Sequence, residues 1–213
     1  MDKNYGNLMV EKPELFVNLP GGLEVITNAE HILQVERTFQ TKLGIIYEDE
    51  YLILLKDAVR FPDDTVAPYI RAYHKHPGGV AVFVVNDGKI LLIKHFRHSL
   101  RTWVWETPRG FCEENQSPTE NALRELNEEL GVFPISIDIL GEVIPDAGII
   151  GERITLFYAI IDSSDDMILE QHEGIKERRF FTKQEFKEAI VSGEIKDGIT
   201  IASFTYAELK GLI

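Results

Sequence analysis

The chain has 213 residues, 44% hydrophobic and 27% charged, the make-up of an ordinary soluble globular protein of one or two domains. Its formal net charge of -13 argues against nucleic-acid or anionic-membrane partners, so a phosphorylated ligand would need local arginines, lysines or a metal. The single cysteine, Cys112, rules out an internal disulfide and fits a reducing, cytoplasmic setting.

In chain order, "MDKNYGNLMVEKPELF" has no apolar run of the signal-peptide kind, and no later run is long enough to span a bilayer. Residues 1–20 lack periodicity and are expected to lie loosely along the surface. "NAEHILQVERTFQTKLG" offers Asn28 as N-cap and Gly44 as stop for a weakly patterned helix. "EYLILLKDAVRFPDDTVAPYIRAYH" reads as two strands joined at "PDD". Residues 1–75 therefore read as a small, mostly β N-terminal part, and residues 76–213 as a second domain.

The second domain opens with "GGVAVFVVNDGKILLIKHFRH", two β-branched runs around Asp87-Gly88, a pair suited to the positive φ angles of a primed hairpin turn. "TWVWETP" is a further strand, and "IDILGEVIP", "RITLFYAIID" and "ERRFFT" follow beyond a central helix. "KQEFKEAIVSG" is a helix stopped by Gly193, and a last helix lies within Thr200–Leu212. Strands around one central helix, with more helices at the tail, predict an α/β sandwich.

The central helix has the plainest punctuation. Ser117 is its N-cap, Pro118 stands at N1, Glu120 completes a capping box, and Gly131 stops it. On a helical wheel Ala122, Leu123, Leu126 and Leu130 share one side, and Glu125, Glu128 and Glu129 project from nearly the opposite one. Each like-charged pair at such spacing costs an isolated helix about 0.2–0.5 kcal/mol. The cluster also sits at the helix C-terminus, where the macrodipole disfavours negative charge. A solvated acidic face is one explanation. The other is a hard divalent cation, Mg²⁺ or Mn²⁺, which makes such a carboxylate cluster favourable.

These residues resemble the Nudix box, Gly-x5-Glu-x7-Arg-Glu-U-x-Glu-Glu-x-Gly-U, where U is aliphatic. Gly110, Arg124, Glu125, Leu126, Glu128, Glu129, Gly131 and Val132 match it, and Gln116 stands where the first Glu belongs. The resemblance implies a Nudix-type α/β/α sandwich with a mixed sheet. It implies metal ligation by Glu125, Glu128 and Glu129, with Arg124 orienting the carboxylates and the carbonyl of Arg109 as an extra ligand. It also implies that position 116 is mainly structural. The competing reading of Gln116 is a degenerate box in a protein that senses its nucleotide ligand without cleaving it.

The flanks resemble the ADP-ribose pyrophosphatase branch, from about Val59 to the C-terminus, through "VRFPDD", "IPDAGIIGERITLFYA" and "GEIKDGITIASFTYA". "WETPRG" departs from the commoner "LELPAG" and puts Arg109 beside the metal site. Arg97 matches the arginine of the branch's "RQYR" segment and, with Glu106 on the next strand, is a candidate substrate contact or a surface ion pair. Lys94, Arg97 and Arg101 crowd one strand end, where they could steer a diphosphate. Trp103 and Trp105 alternate on one strand face and either stack an adenine or pack in a core or dimer interface. His74 and His76 read as surface histidines, not a metal pair, and Cys112 receives no role.

By resemblance the general base comes from "ILEQHEGIKERRFF", with Glu173 first, Glu170 second, and Glu152 or a helix carboxylate next. The activity implied is Mg²⁺-dependent hydrolysis of a nucleoside diphosphate derivative, ADP-ribose giving AMP and ribose 5-phosphate. Alternatives are another nucleotide sugar, a dinucleoside polyphosphate, or non-catalytic ligand sensing. The branch also implies a homodimer formed through the N-terminal part.

Overall fold

The computed structural model describes residues 3–162 and 174–213. The chain divides into two units, one running to Lys75 and taking in Asp146–Gly151, the other comprising His76–Pro145 and Glu152–Ile213.

In the first unit Tyr5 and Leu8, one helical turn apart, make an apolar face on α1 (Lys3–Glu11) where the sequence suggested no regular structure. They pack with Ile26, Ile32, Val35 and Leu55. The hydroxyl of Tyr5 donates to Asp57, a buried carboxylate that also pairs with Arg71 at 2.6 Å. Next come β1 (Glu24–Val25) and α2 (Ala29–Phe39), whose N-cap Asn28 accepts from the amides of Glu30 and His31. The helix ends at Gln40, in the left-handed region at φ 49°, before reaching Gly44. β3 (Leu52–Arg60) is the sheet's centre. β4 (Val66–His74) runs antiparallel along its whole length, while β2 (Gly44–Glu48) and β1 share the other edge.

The second unit grows from the hairpin β5 (Gly79–Asn86) and β6 (Lys89–Arg97), whose turn has Asp87 at φ 47° and Gly88 at φ 70°. The two strands pair only near this turn and then splay. Into the split go β7 (Thr102–Glu106), which takes over the edge of β6, and β8 (Arg109–Phe111), which takes over the edge of β5. The sheet is completed by β9 (Ser136–Val143), β10 (Ile154–Ile160) and β11 (Ile175–Phe181), in the order β11-β6-β5-β10-β9. β10 runs parallel to β5 and the other pairs are antiparallel, so the sheet is mixed.

Alternation along β5 sorts the core into two layers. Val80, Val82 and Val84 pack with Ala122, Leu126 and Leu130 of α3 (Pro118–Leu130). Ala81, Phe83 and Val85 face Phe186 of α4 (Lys183–Ser192) and Phe204 of α5 (Gly198–Leu209), whose rings stack 4.5 Å apart. Each fully buried Leu or Phe contributes about 1.5–3 kcal/mol. The result is the expected α/β/α sandwich with a mixed sheet. Among the described residues no helix is long and apolar enough to cross a membrane.

Candidate active site

The capping box at the start of α3 forms as its sequence requires. The Ser117 hydroxyl accepts from the Glu120 amide, the Glu120 carboxylate accepts from the Ser117 amide, and Gly131 closes the helix at φ 67°. The wheel, however, misassigns the acidic side. Glu125 and Glu129 are 5% and 0% exposed, Glu128 stays exposed, and Leu123 is only half-buried. The cause is Gly110 on β8. A Cβ there would overlap the Glu125 carboxylate, so the missing side chain leaves the space that Glu125 fills. The buried residues of α3 are thus Asn121, Ala122, Glu125, Leu126, Glu129 and Leu130.

Arg124 holds this helix face together. Its guanidinium pairs with Glu125 at 2.8 Å and Glu128 at 2.6 Å, approaches Glu113 at 3.7 Å, and donates to the Phe111 carbonyl at 2.9 Å. Burial would lower its pKa, but the three carboxylates outweigh burial and raise it. Gln116 donates to the Glu113 carboxylate. Asn121 braces the same loop, accepting from the Glu113 amide at 3.0 Å and donating to the Ser117 carbonyl at 2.9 Å. Glu129 accepts from the Arg109 amide at 3.2 Å.

Carboxylate oxygens are hard donors suited to Mg²⁺ or Mn²⁺, and the space at Gly110 brings one of them against the backbone of β8, so the residues fit such an ion. As they stand, no three His, Cys, Asp or Glu side chains among the described residues are grouped to hold one. Glu128 is turned toward Arg124 and Glu129 toward the Arg109 amide.

A second polar cluster lies at the open end of the splayed hairpin. Glu106, wholly buried, meets His95 Nδ1 at 3.1 Å, Arg97 Nε at 2.9 Å and Arg109 Nη2 at 3.0 Å. Burial pushes the Glu106 carboxyl up, but His95 and the Arg109 and Arg97 guanidiniums prevail and hold it below the ordinary value. Arg109 reaches on to Asp197 at 3.0 Å. Arg97, Trp103, Arg109, Lys196 and Asp197 border a cleft of about 370 Å³.

Arg97 is therefore paired with the buried Glu106, and Arg97 also borders the cleft. Lys94, Arg97 and Arg101 do not form one basic cluster. Lys94 pairs with Glu177 and lies over the Trp105 ring, and Arg101 lies over the Phe96 ring, because strand alternation and the bend after β6 send the three apart. Trp105 is buried against Phe181, and Trp103 is 41% exposed. His76 stacks on Phe111, with ring centroids 5.1 Å apart. Cys112 is buried, which raises its thiol pKa. Glu152 Oε1 lies 3.7 Å from where a Cβ on Gly79 would stand. Glu170 and Glu173 lie outside the described residues.

Sequence reading missed His95, Asn121 and Asp197. His95 alternates with Arg97 on one strand face, which is a usable signal. Asp197 followed by Thr200 is an N-cap pattern. Asn121 carries no signal until the loop before α3 is folded.

The family profile described as the NUDIX domain matches residues 75–198. Over 171 residues the chain is 29% identical to an ADP-ribose pyrophosphatase of Bacillus subtilis (strain 168), covering 78% of this chain and 89% of that protein. It is 31% identical over 162 residues to a GDP-mannose pyrophosphatase of Yersinia enterocolitica, covering 70% of this chain and 83% of the relative. The crystal structure of an ADP compounds hydrolase superposes with a TM-score of 0.64 at 15% identity, covering 80% of this chain and 93% of that one, a likeness of fold. With more than half of its length under the domain match, this chain belongs to the Nudix hydrolase family.

Proposed function

We propose that this protein hydrolyses the diphosphate linkage of a nucleoside diphosphate derivative, with ADP-ribose the favoured substrate and AMP and ribose 5-phosphate the products. The observation that carries the reading is the pair of buried carboxylates, Glu125 and Glu129, held against β8 by a helix whose own stability gains nothing from them. The ADP-ribose pyrophosphatase relative supports the choice of substrate. The GDP-mannose pyrophosphatase relative keeps nucleotide sugars as the second reading.

Glu125, Glu128 and Glu129 would hold Mg²⁺ or Mn²⁺, which when bound neutralises the diphosphate and acidifies the attacking water. Arg124 positions these carboxylates through its pairs with Glu125 and Glu128. Arg97 and Arg109, fixed by Glu106, present guanidinium groups at the edge of the cleft for the substrate's phosphates. Water attacks one phosphorus, the bridging P–O bond breaks, and the water's proton passes to a loop carboxylate. Glu173 is the first candidate for that base and Glu170 the second, because carboxylates committed to a cation are poor proton acceptors. The first unit would serve homodimer formation.

The deciding experiment is hydrolysis of ADP-ribose with and without Mg²⁺, against a panel containing GDP-mannose and diadenosine polyphosphates, with products separated by chromatography. Fast Mg²⁺-dependent release of AMP from ADP-ribose is expected. A higher kcat/KM on GDP-mannose moves the assignment to nucleotide sugars, and binding without turnover of any compound removes the enzymatic reading. Within this reading Glu173→Gln should lower kcat about 10²–10⁴-fold, the usual contribution of a general base, with little change in Mg²⁺ affinity. Full activity in that variant and in Glu170→Gln would move the base to Glu152 or a carboxylate of the α3 face.

A further inference from the structure

Asp197 is the N-cap of α5, and capping occupies only one of its oxygens. Oδ2 accepts from the amide and the hydroxyl of Thr200, at 2.9 and 2.7 Å. Oδ1 is free of the helix and pairs with Arg109 Nη1 at 3.0 Å. Thr200, wholly buried, accepts in turn from the Thr107 amide at 3.0 Å. The Thr107 hydroxyl donates to the Val82 carbonyl, and the Pro108 carbonyl accepts from the Val82 amide at 2.8 Å. The connection Thr107–Pro108–Arg109 is thereby tied to β5 on one side and to the start of α5 on the other. The next polar group along this connection is the Arg109 amide, which donates to Glu129.

We propose that Asp197, supported by Thr200, is a positioning residue for the acidic centre. Through Thr200 on the Thr107 amide and through the Arg109 guanidinium it holds the Thr107–Pro108–Arg109 connection from the α5 side, and with it the Arg109 amide and the rotamer of Glu129. The inference rests on the reading of Glu129 as a metal-binding carboxylate. A cap alone does not explain the residue, since Asn caps a helix as well as Asp does. What Asn cannot supply is a second oxygen for Arg109. With its own oxygen kept for Thr200, its amide group turns a donor toward the guanidinium.

Asp197→Asn therefore separates the two roles. It should melt close to wild type. Loss of such an outer partner typically costs about 10–100-fold in activity or metal affinity, so kcat on ADP-ribose should fall in that range with KM changed far less. Mn²⁺ affinity, followed without turnover by the paramagnetic resonance signal of free Mn²⁺, should fall as well. Asp197→Ser keeps a cap, removes the pair, and should repeat the result if the Asn variant folds poorly. In an Arg109→Ala background, Asp197→Asn should add no further loss. Wild-type kcat and Mn²⁺ affinity in the Asn variant, or losses that add fully to those of Arg109→Ala, would reduce Asp197 to a helix cap. If the wild type hydrolyses none of the panel, the proposed activity fails, and the Mn²⁺ titration alone still decides the coupling.

Discussion

Glu129 is costly for folding and, in the proposed reaction, would be useful for chemistry. It is wholly buried on α3, and burying a carboxylate is unfavourable unless it is partnered. Gln has the same shape and keeps an oxygen for the Arg109 amide, so Glu129→Gln should leave the melting temperature near or above that of wild type. The lost charge should lower kcat about 100-fold or more, as removal of one preorganised electrostatic group does. Near wild-type turnover at saturating Mg²⁺ would sink the metal assignment. Gln116 is the opposite case. It lies in an exposed loop and reaches the acidic centre only through Glu113, which approaches Arg124. Exposed charges are worth about 1 kcal/mol at most, so Gln116→Glu should change kcat by less than about fivefold. A rise from no activity to an ordinary enzymatic rate would instead make the native protein a nucleotide sensor.

Among the elements, α1 and α3 show what periodicity can and cannot reveal. The apolar face of α1 is Tyr5 and Leu8 with a partly buried Met9, too sparse to stand out from polar neighbours. The partner of its Tyr5 hydroxyl, Asp57, lies 52 residues downstream. Burial first, and then the Asp57 charge and hydrogen bond, raise the Tyr5 pKa above its ordinary 10.0. The folded state therefore holds this proton more tightly than the unfolded chain does. The stability it contributes is complete below the unfolded pKa and is lost as pH climbs toward the folded one. Tyr5→Phe should cost about 1–3 kcal/mol near neutral pH, the range for leaving a buried polar group unsatisfied. In urea unfolding from about pH 8 to about pH 11, the gap between wild type and variant should narrow above about pH 10, where free tyrosine ionises. A gap that stays flat or widens there would refute the linkage. For α3 the caps were legible to the residue, because they depend on neighbours within one turn. Its buried face was not, because Gly110 on a different element decides which carboxylate can be accommodated.

For the whole molecule, the net charge is -13, and the arginines around Glu106 are where the proposed anionic substrate would find positive charge. The proposed homodimer would draw on exposed apolar side chains of the first unit, such as Ile46 and Tyr47 on β2 and Tyr69 and Ile70 on β4. Sedimentation should give twice the chain mass, and replacing Tyr69 and Ile70 with Asp should halve it. A wild-type monomer at micromolar concentration would remove the dimer from the proposal. By itself the sequence determined the hairpin turn at Asp87-Gly88 and the capped acidic helix. These follow from backbone preferences and periodicities that act within a few residues. Only the tertiary structure decided that Glu125 and Glu129 are buried, that Lys94 and Arg97 part company, and that Arg109 is shared between Glu106 and Asp197. Each depends on residues far apart in the chain meeting where β5 and β6 splay, and no local pattern records which side chains that opening admits.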